Sequence, residues 1–220
     1  MIKGYLLDFD QLNYLKALEL QRKLVDLRNE NKIPETLILL EHEHVITIGN
    51  RGKEADILDK SLPYYYVERG GELTYHGPGQ LVGYPIFDLK SLKLDVKEFV
   101  SKLESAICLA LKKFNIECDK EHVFAGVWTK KQKIASIGIA LKNFVTFHGF
   151  ALNVNTDLSY FFKIRPCGME ASVMTSMEKI LGEKINMKEV KDAIIEGFQK
   201  VFDIEFERKS LEDLALKLFE

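Results

Sequence analysis

The sequence predicts an α/β fold, with a mixed β-sheet flanked by helices. Short runs rich in β-branched and aromatic residues alternate along the chain with longer segments whose apolar residues recur at helical spacing. The chain has 220 residues, of which 46% are hydrophobic, so it can bury a large core. We expect a single domain over residues 1–220, with residues 185–220 forming a helical C-terminal extension.

The first part of the chain predicts one helix followed by four strands. Leucines at near-helical spacing predict a helix over Gln11–Asn31, preceded by Asp10. The β-rich runs are Thr36–Leu40, Val45–Ile48, Tyr64–Val67 and Leu81–Phe87. A glycine-rich segment, residues 69–80, separates the last two runs, and we expect it to be a loop.

Capping residues mark the predicted helices of the second part. Asp95 and Glu98 have the spacing of a capping box, and an apolar helical face follows them. Asn186 and Glu189 predict a second capped helix by the same spacing. Ser210 is predicted to open a short terminal helix.

Between these helices the sequence predicts a hairpin and a buried strand. Val123–Trp128 and Ile134–Leu141 are the hairpin strands, joined by the polar turn Lys130–Lys133. Val145–Val154 is apolar on both faces of a strand. Because a strand at the centre of a sheet is covered on both sides, this pattern predicts a central position.

Charge and cysteine content exclude several classes of protein. With 31 basic and 33 acidic residues the net charge is −2, which gives no general attraction to nucleic acid or anionic membranes. Asp8 and Asp10 interrupt the only candidate signal peptide, and we expect no membrane span. Three cysteines, Cys108, Cys118 and Cys167, are too few and too scattered for a disulfide framework. We therefore expect a cytoplasmic protein.

The glycine-rich segment is the most informative feature for function. It runs from Arg69 to Gln80 and contains four glycines, one proline, Arg69 and His76. Glycine has no Cβ, so the backbone can turn with positive φ and approach a ligand closely. We interpret this segment as the wall of a pocket.

Cys167 is the candidate nucleophile. It lies in Pro166-Cys167-Gly168, where proline fixes the backbone and glycine lets the main chain turn. The thiolate is the reactive form of cysteine, so a base or a cation is needed nearby. His76 and Lys133 are both candidates for this base or cation. Lys133 is distinguished from the neighbouring lysines because it directly precedes an apolar strand. Cys108 and Cys118 are interpreted as small core residues.

Other motifs are absent or incomplete. The sequence has no P-loop and no G-x-G-x-x-G pattern. His42 and His44 alternate with Glu41 and Glu43, but they lack the H-E-x-x-H spacing and a C-x-x-C partner. We predict no metal site.

Four stretches of the chain together resemble the lipoyl(octanoyl) transferase family. The arginine–glycine segment and the Pro-Cys-Gly turn are the most specific, and the likeness extends from about residue 37 to residue 177. The stretches are Leu40–Gly49, Arg69–Gln80, Gly126–Trp128 with Lys133–Gly138, and Phe147–Val154 running on to Ile164–Gly168.

The resemblance implies a fold like that of the biotin and lipoate protein ligases. It also implies transfer of an octanoyl group from acyl carrier protein to a lysine of a lipoyl domain, with Cys167 as the acyl-thioester nucleophile and Lys133 as the residue that tunes it. The implied substrate-binding residues are Arg69, Gly70, Gly71, Glu72, Leu73, Thr74, Tyr75, His76, Ser136, Ile137, Gly138, Gly149, Phe150 and Ala151.

Cofactors and partners follow from this chemistry. Exchange between two thioesters is nearly balanced, so neither ATP nor a metal is expected, and phosphopantetheine arrives on the acyl carrier protein. The implied acceptors are apo lipoyl domains of 2-oxoacid dehydrogenase complexes and the glycine cleavage H protein; no nucleic acid or membrane partner is expected. We further expect Gly70, Gly71, Gly138 and Gly149 to leave room for the eight-carbon chain.

Four other functions remain open at this level. An ATP-dependent lipoate or biotin ligase would share the fold but needs no cysteine nucleophile. An amidotransferase that moves octanoyl groups between protein domains would use the same cysteine and lysine. A cysteine hydrolase would replace the acceptor amine with water, and a non-catalytic acyl-binding module would have no reason to keep a reactive thiol.

Overall fold

Two β-sheets form the framework of the protein. A computed structural model describes residues 1–119, 125–165 and 170–216. The larger sheet has the strand order β10-β1-β2-β6-β9-β8-β7, and the smaller has the order β4-β3-β5. The strands are β1 (Ile2–Gln11), β2 (Glu35–Glu41), β3 (Val45–Ile48), β4 (Tyr64–Tyr66), β5 (Leu73–His76), β6 (Gln80–Ile86), β7 (Gly126–Thr129), β8 (Gln132–Lys142), β9 (Val145–Asn153) and β10 (Ile204–Arg208).

Helices cover both faces of the larger sheet. They are α1 (Tyr14–Asn29), α2 (Val96–Lys112), α3 (Met177–Leu181) and α4 (Met187–Phe202). Helices α2 and α4 pack on one face, where Phe99 and Phe198 join Phe87 and Phe150 of the sheet in one buried cluster. Helix α1 packs on the other face. Each buried phenylalanine contributes about 2–3 kcal/mol through the area it removes from water.

The starts of two helices were predicted correctly from their capping residues. Asp95 accepts the N–H of Glu98, and the Glu98 carboxylate accepts the N–H of Asp95, so the predicted capping box is present. The Asn186 side chain caps α4 as predicted. The first helix begins three residues later than predicted, because Asn13 provides its N-terminal cap and residues 2–11 form β1.

The predicted hairpin and central strand are both present in the described part of the chain. Strands β7 and β8 are joined at Lys130 and Lys131, while Val123 lies outside the described residues. Strand β9 is buried at every position and lies between β8 and β6. Its two apolar faces pack against the two helical layers, which explains why the sequence pattern showed no polar side.

The C-terminal region differs from the prediction. Helix α4 packs in the main core, and β10 pairs in parallel with β1, so residues after 185 extend the large sheet as well as adding a helix. Residues 211–215 form turns and not the helix predicted from Ser210. Residues 217–220 lie outside the described ranges.

Two cysteines are paired, contrary to prediction. Cys108 of α2 and Cys118 form a disulfide with a Cα–Cα distance of 5.9 Å. Both also pack partly buried against the main core, as expected for small apolar side chains. This bridge was not predictable from cysteine spacing, because it depends on how the chain turns back after the end of α2.

Candidate active site

A cavity of about 650 Å³ lies beside β8 and β9 and is covered by the glycine-rich segment. Its volume is within the range usual for small-molecule sites. The structure places in its wall every predicted site residue except Tyr75, which is fully buried behind it, and Cys167, which lies outside the described residues. These are Arg69, Gly70, Gly71, Glu72, Leu73, Thr74, His76, Lys133, Ser136, Ile137, Gly138, Gly149, Phe150 and Ala151.

The glycine-rich segment is held rigidly over the sheet. The Gly70 N–H donates to the Ile139 carbonyl of β8 at 2.9 Å. The buried Arg69 guanidinium donates to the carbonyl of Thr47 at 2.8 Å and to that of Gly70 at 3.0 Å. Gly71 has φ +87°, a conformation that favours glycine. The middle of the segment, residues 73–76, is strand β5 and not loop, because it pairs with β3.

The expectation that Gly138 and Gly149 leave room for an acyl chain is wrong. A Cβ on Gly138 would lie 2.9 Å from the Gly70 carbonyl oxygen. One on Gly149 would lie 2.2 Å from the Gly83 carbonyl oxygen. These glycines instead let backbone segments pack closely. A Cβ on Gly70 would make only an ordinary van der Waals contact, with the Ile139 carbonyl oxygen at 3.6 Å.

Lys133 enters the cavity from a buried position on β8. Only 3% of it is exposed, and its ammonium nitrogen lies 5.8 Å from the centre of the Trp128 ring. Its carbonyl accepts the N–H of Thr175 at 3.0 Å. Thr175 is eight residues after Cys167. Eight residues of fully extended chain span at most about 28 Å. The proximity of Cys167 to Lys133 stays a prediction, compatible with this tie.

The segment before Cys167 is anchored to the small sheet. The Arg165 N–H donates to the Asp56 carbonyl at 2.9 Å. Tyr160 stacks on His44 at 4.3 Å and on Tyr75 at 5.1 Å, and the Tyr75 hydroxyl lies 2.8 Å from His44 Nδ1. Tyr75 therefore supports the site from behind its wall.

His42 and His76 form part of a buried polar cluster behind the cavity. His42 Nδ1 lies 2.7 Å from the Leu12 carbonyl, and its Nε2 lies 2.7 Å from the Tyr84 hydroxyl. His76 Nδ1 lies 2.8 Å from the Gln80 side-chain oxygen. Burial lowers the pKa of His42 to about 4 and holds the pKa of His76 well below its ordinary value. Both imidazoles are therefore neutral near pH 7.

Sequence reasoning missed three aromatic residues of the cavity. Tyr14, Tyr84 and His148 line it together with the predicted set. Tyr14 and Tyr84 resemble ordinary core residues in the sequence. His148 carried a usable signal, because it is a histidine inside a strand that is otherwise apolar on both faces.

The fold is that of the lipoate and biotin protein ligases, as predicted. A solved structure of lipoate-protein ligase A bound with ATP matches with a TM-score of 0.77 and 16% identity, covering 97% of this chain and 92% of the other. A biotin protein ligase from Aquifex aeolicus matches with a TM-score of 0.55 and 14% identity, covering 92% of this chain and 70% of the other. At these identities the likeness defines the fold class.

The sequence comparison defines the family. Residues 13–199 match the lipoyl protein ligase A/B catalytic domain. The octanoyltransferase of Caldicellulosiruptor saccharolyticus is 45% identical over 93% of this chain and 91% of its own length. The octanoyltransferase of Caldanaerobacter subterraneus is 42% identical over 98% of this chain and 97% of its own length. The chain belongs to the lipoyl protein ligase A/B catalytic-domain family.

Proposed function

We propose that the protein transfers an octanoyl group from octanoyl-acyl carrier protein to a specific lysine of lipoyl domains, through a thioester on Cys167. The observation that carries this proposal is the buried Lys133 in the wall of a cavity large enough for an acyl chain. The relatives named octanoyltransferase, at 42–46% identity, support the choice of acyl group.

In the first half-reaction the Cys167 thiolate attacks the thioester carbonyl of the donor. A new C–S bond forms to Cys167, the old C–S bond breaks, and the pantetheine sulfur leaves as a thiol with the proton that Lys133 had taken from Cys167. One thioester replaces another, so the step needs neither ATP nor a metal. Lys133 accepts the proton of the Cys167 thiol, and its ammonium then stabilises the thiolate.

In the second half-reaction the acceptor lysine attacks the acyl-enzyme as a neutral amine. A C–N bond forms, the C–S bond to Cys167 breaks, and Lys133 accepts the proton released from nitrogen. The thiolate of Cys167 is thereby restored. Formation of an amide from a thioester is downhill, which makes this half-reaction the driving step.

Basic residues near the cavity mouth fit an acidic carrier protein. Arg51 is exposed and lines the cavity, and Lys53 is exposed two residues further along the chain. Two further basic residues, Lys163 and Lys142, already have acidic partners, Asp59 and Asp26 respectively. In the part of the chain that the structure describes, no helix is long and apolar enough to cross a membrane. We place the reaction in the cytoplasm.

The proposal is tested by intact-protein mass spectrometry after mixing the protein with octanoyl-acyl carrier protein, without ATP. We expect one octanoyl adduct on Cys167 that hydroxylamine removes and an apo lipoyl domain discharges. Cys167→Ser should form no labile adduct and keep the melting temperature of the wild type. Transfer that requires free octanoate and ATP would instead establish a ligase of the kind seen among the fold neighbours.

A further inference from the structure

We propose that the His148 ring, with the rings of Tyr14 and Tyr84, closes the far end of the cavity and sets the length of the acyl chain it accepts. This inference rests on the proposed function, because it takes the reacting end of the chain to lie at Lys133. It assigns a specificity-determining role to a residue of the family-like stretch Phe147–Val154 that the implied substrate-binding set did not include.

His148 reaches the cavity only through an unusual backbone conformation. Side chains alternate between the two faces of a strand, and Phe150 and Leu152 of β9 face α2 and α4. His148 should share that face, yet its ring stacks on the neighbouring Phe147 ring at 4.9 Å. The cause is its φ of +56°, which turns the side chain to the opposite face. Strained backbone of this kind concentrates at functional sites.

The surrounding structure holds this conformation firmly. The His148 N–H donates to the side-chain oxygen of Gln21 at 2.7 Å, and Gln21 is a fully buried residue of α1. The Tyr84 ring meets the His148 ring edge-on at 6.5 Å, and Tyr84 is itself fixed by His42. A rigid wall discriminates chain length more sharply than a deformable one.

The dimensions suit an eight-carbon chain. Ile139 lies opposite His148 and is six residues from Lys133 along β8 (139 − 133). At about 3.4 Å per residue this offset is at most roughly 20 Å. An extended chain of eight carbons is about 9 Å long, which is the length of two to three residues of a β-strand. The remaining distance accommodates the Lys133 side chain and the His148 ring.

The His148 ring makes few polar contacts, so replacing it mainly changes the shape of the cavity. Among the described residues, His148 Nε2 has no hydrogen-bond partner. The Glu68 carboxylate lies 3.6 Å from His148 Nε2. His148→Gly removes the ring and suits a φ of +56°, so the variant is expected to fold. Asn143→Gly is the matched control, because Asn143 has φ +52° in the β8–β9 turn and does not line the cavity.

The first measurement is the rate of Cys167 acylation by octanoyl, decanoyl and dodecanoyl thioesters of pantetheine. For His148→Gly we expect the ratio of kcat/KM for decanoyl to octanoyl to rise at least about tenfold, since each methylene in an apolar pocket counts for about 10–200-fold. His148→Asn should lie between glycine and the wild type. An unchanged ratio in folded His148→Gly, or an equal loss for every chain length, would overturn the inference.

A second measurement separates this inference from the proposed function. The melting temperature is recorded with octanoic, decanoic and dodecanoic acids, which needs no transfer. We expect the largest stabilisation at eight carbons for the wild type and Asn143→Gly, and at ten or more for His148→Gly. If all three proteins were stabilised most by the acid of the same chain length, the inference that His148 limits chain length would be refuted. Absence of Cys167 acylation with a shifted optimum would refute the transferase alone.

Discussion

At the scale of single residues, burial decides the chemistry of this site. Burial keeps His42 and His76 neutral, and Lys133 is also buried. His76 was one of two candidate bases in the sequence, and its lowered pKa makes it a poor proton acceptor near pH 7. This lowered pKa favours Lys133 over His76 as the proposed partner of Cys167.

Removing the Lys133 amine should reduce the reactivity of the thiol. Without a cation or base nearby, the apparent pKa of Cys167 should rise toward about 8.5, the value of a free cysteine. In Lys133→Gln we expect slower alkylation by iodoacetamide at pH 7 and a reactivity profile displaced to higher pH. Lys131→Gln, in the exposed hairpin turn, is the control and should behave as wild type. Identical profiles for all three proteins would remove Lys133 from the mechanism.

At the scale of elements, the boundaries that depend on local interactions were predictable from the sequence. Those that depend on interactions between distant parts of the chain were not. The capping box of α2 involves Asp95 and Glu98 only, so four residues of sequence encode it. Strand β5 could not be recognised, because its pairing with β3 depends on residues 25 to 31 positions away, from Ile48–Leu73 to Val45–His76. The face that His148 occupies follows from one backbone torsion, which no side-chain pattern reveals.

The disulfide should stabilise the connection from α2 to β7. It joins cysteines ten residues apart, and a loop of this size gives about 2–3 kcal/mol in the chain-entropy account. We expect dithiothreitol to lower the free energy of unfolding in urea by about that amount. Cys108→Ser should show the lower value with or without reductant. Equal stability of the oxidised and reduced wild type would contradict this expectation.

At the scale of the whole molecule, the site is assembled from distant parts of one chain. The α/β class was predicted from alternating patterns and the glycine-rich wall segment from its composition, while the other wall segments followed from the family resemblance. The sequence did not predict that Tyr14 of α1 and Tyr84 of β6 line one cavity with His148. Their placement depends on strand order and on helix packing, which are properties of the complete fold.

Protein stability should fall between about pH 6.5 and pH 4. Burial lowers the pKa of His42 and of His148 to about 4 from an ordinary value of 6.5. In this window the unfolded chain binds protons that the native protein does not, so acid favours unfolding. Each histidine should cost on the order of 1–2 kcal/mol at pH 5 relative to pH 7. Urea unfolding at both values tests this, and His42→Gln should show a smaller difference.

The main-chain bond between Lys133 and Thr175 has an evolutionary consequence. It ties the lysine strand to the segment that follows Cys167 without using a side chain of either residue. Mutation can therefore change the residue at position 167 while the tie persists. A descendant without the cysteine would keep Lys133 in the cavity wall and would lose the covalent step proposed above.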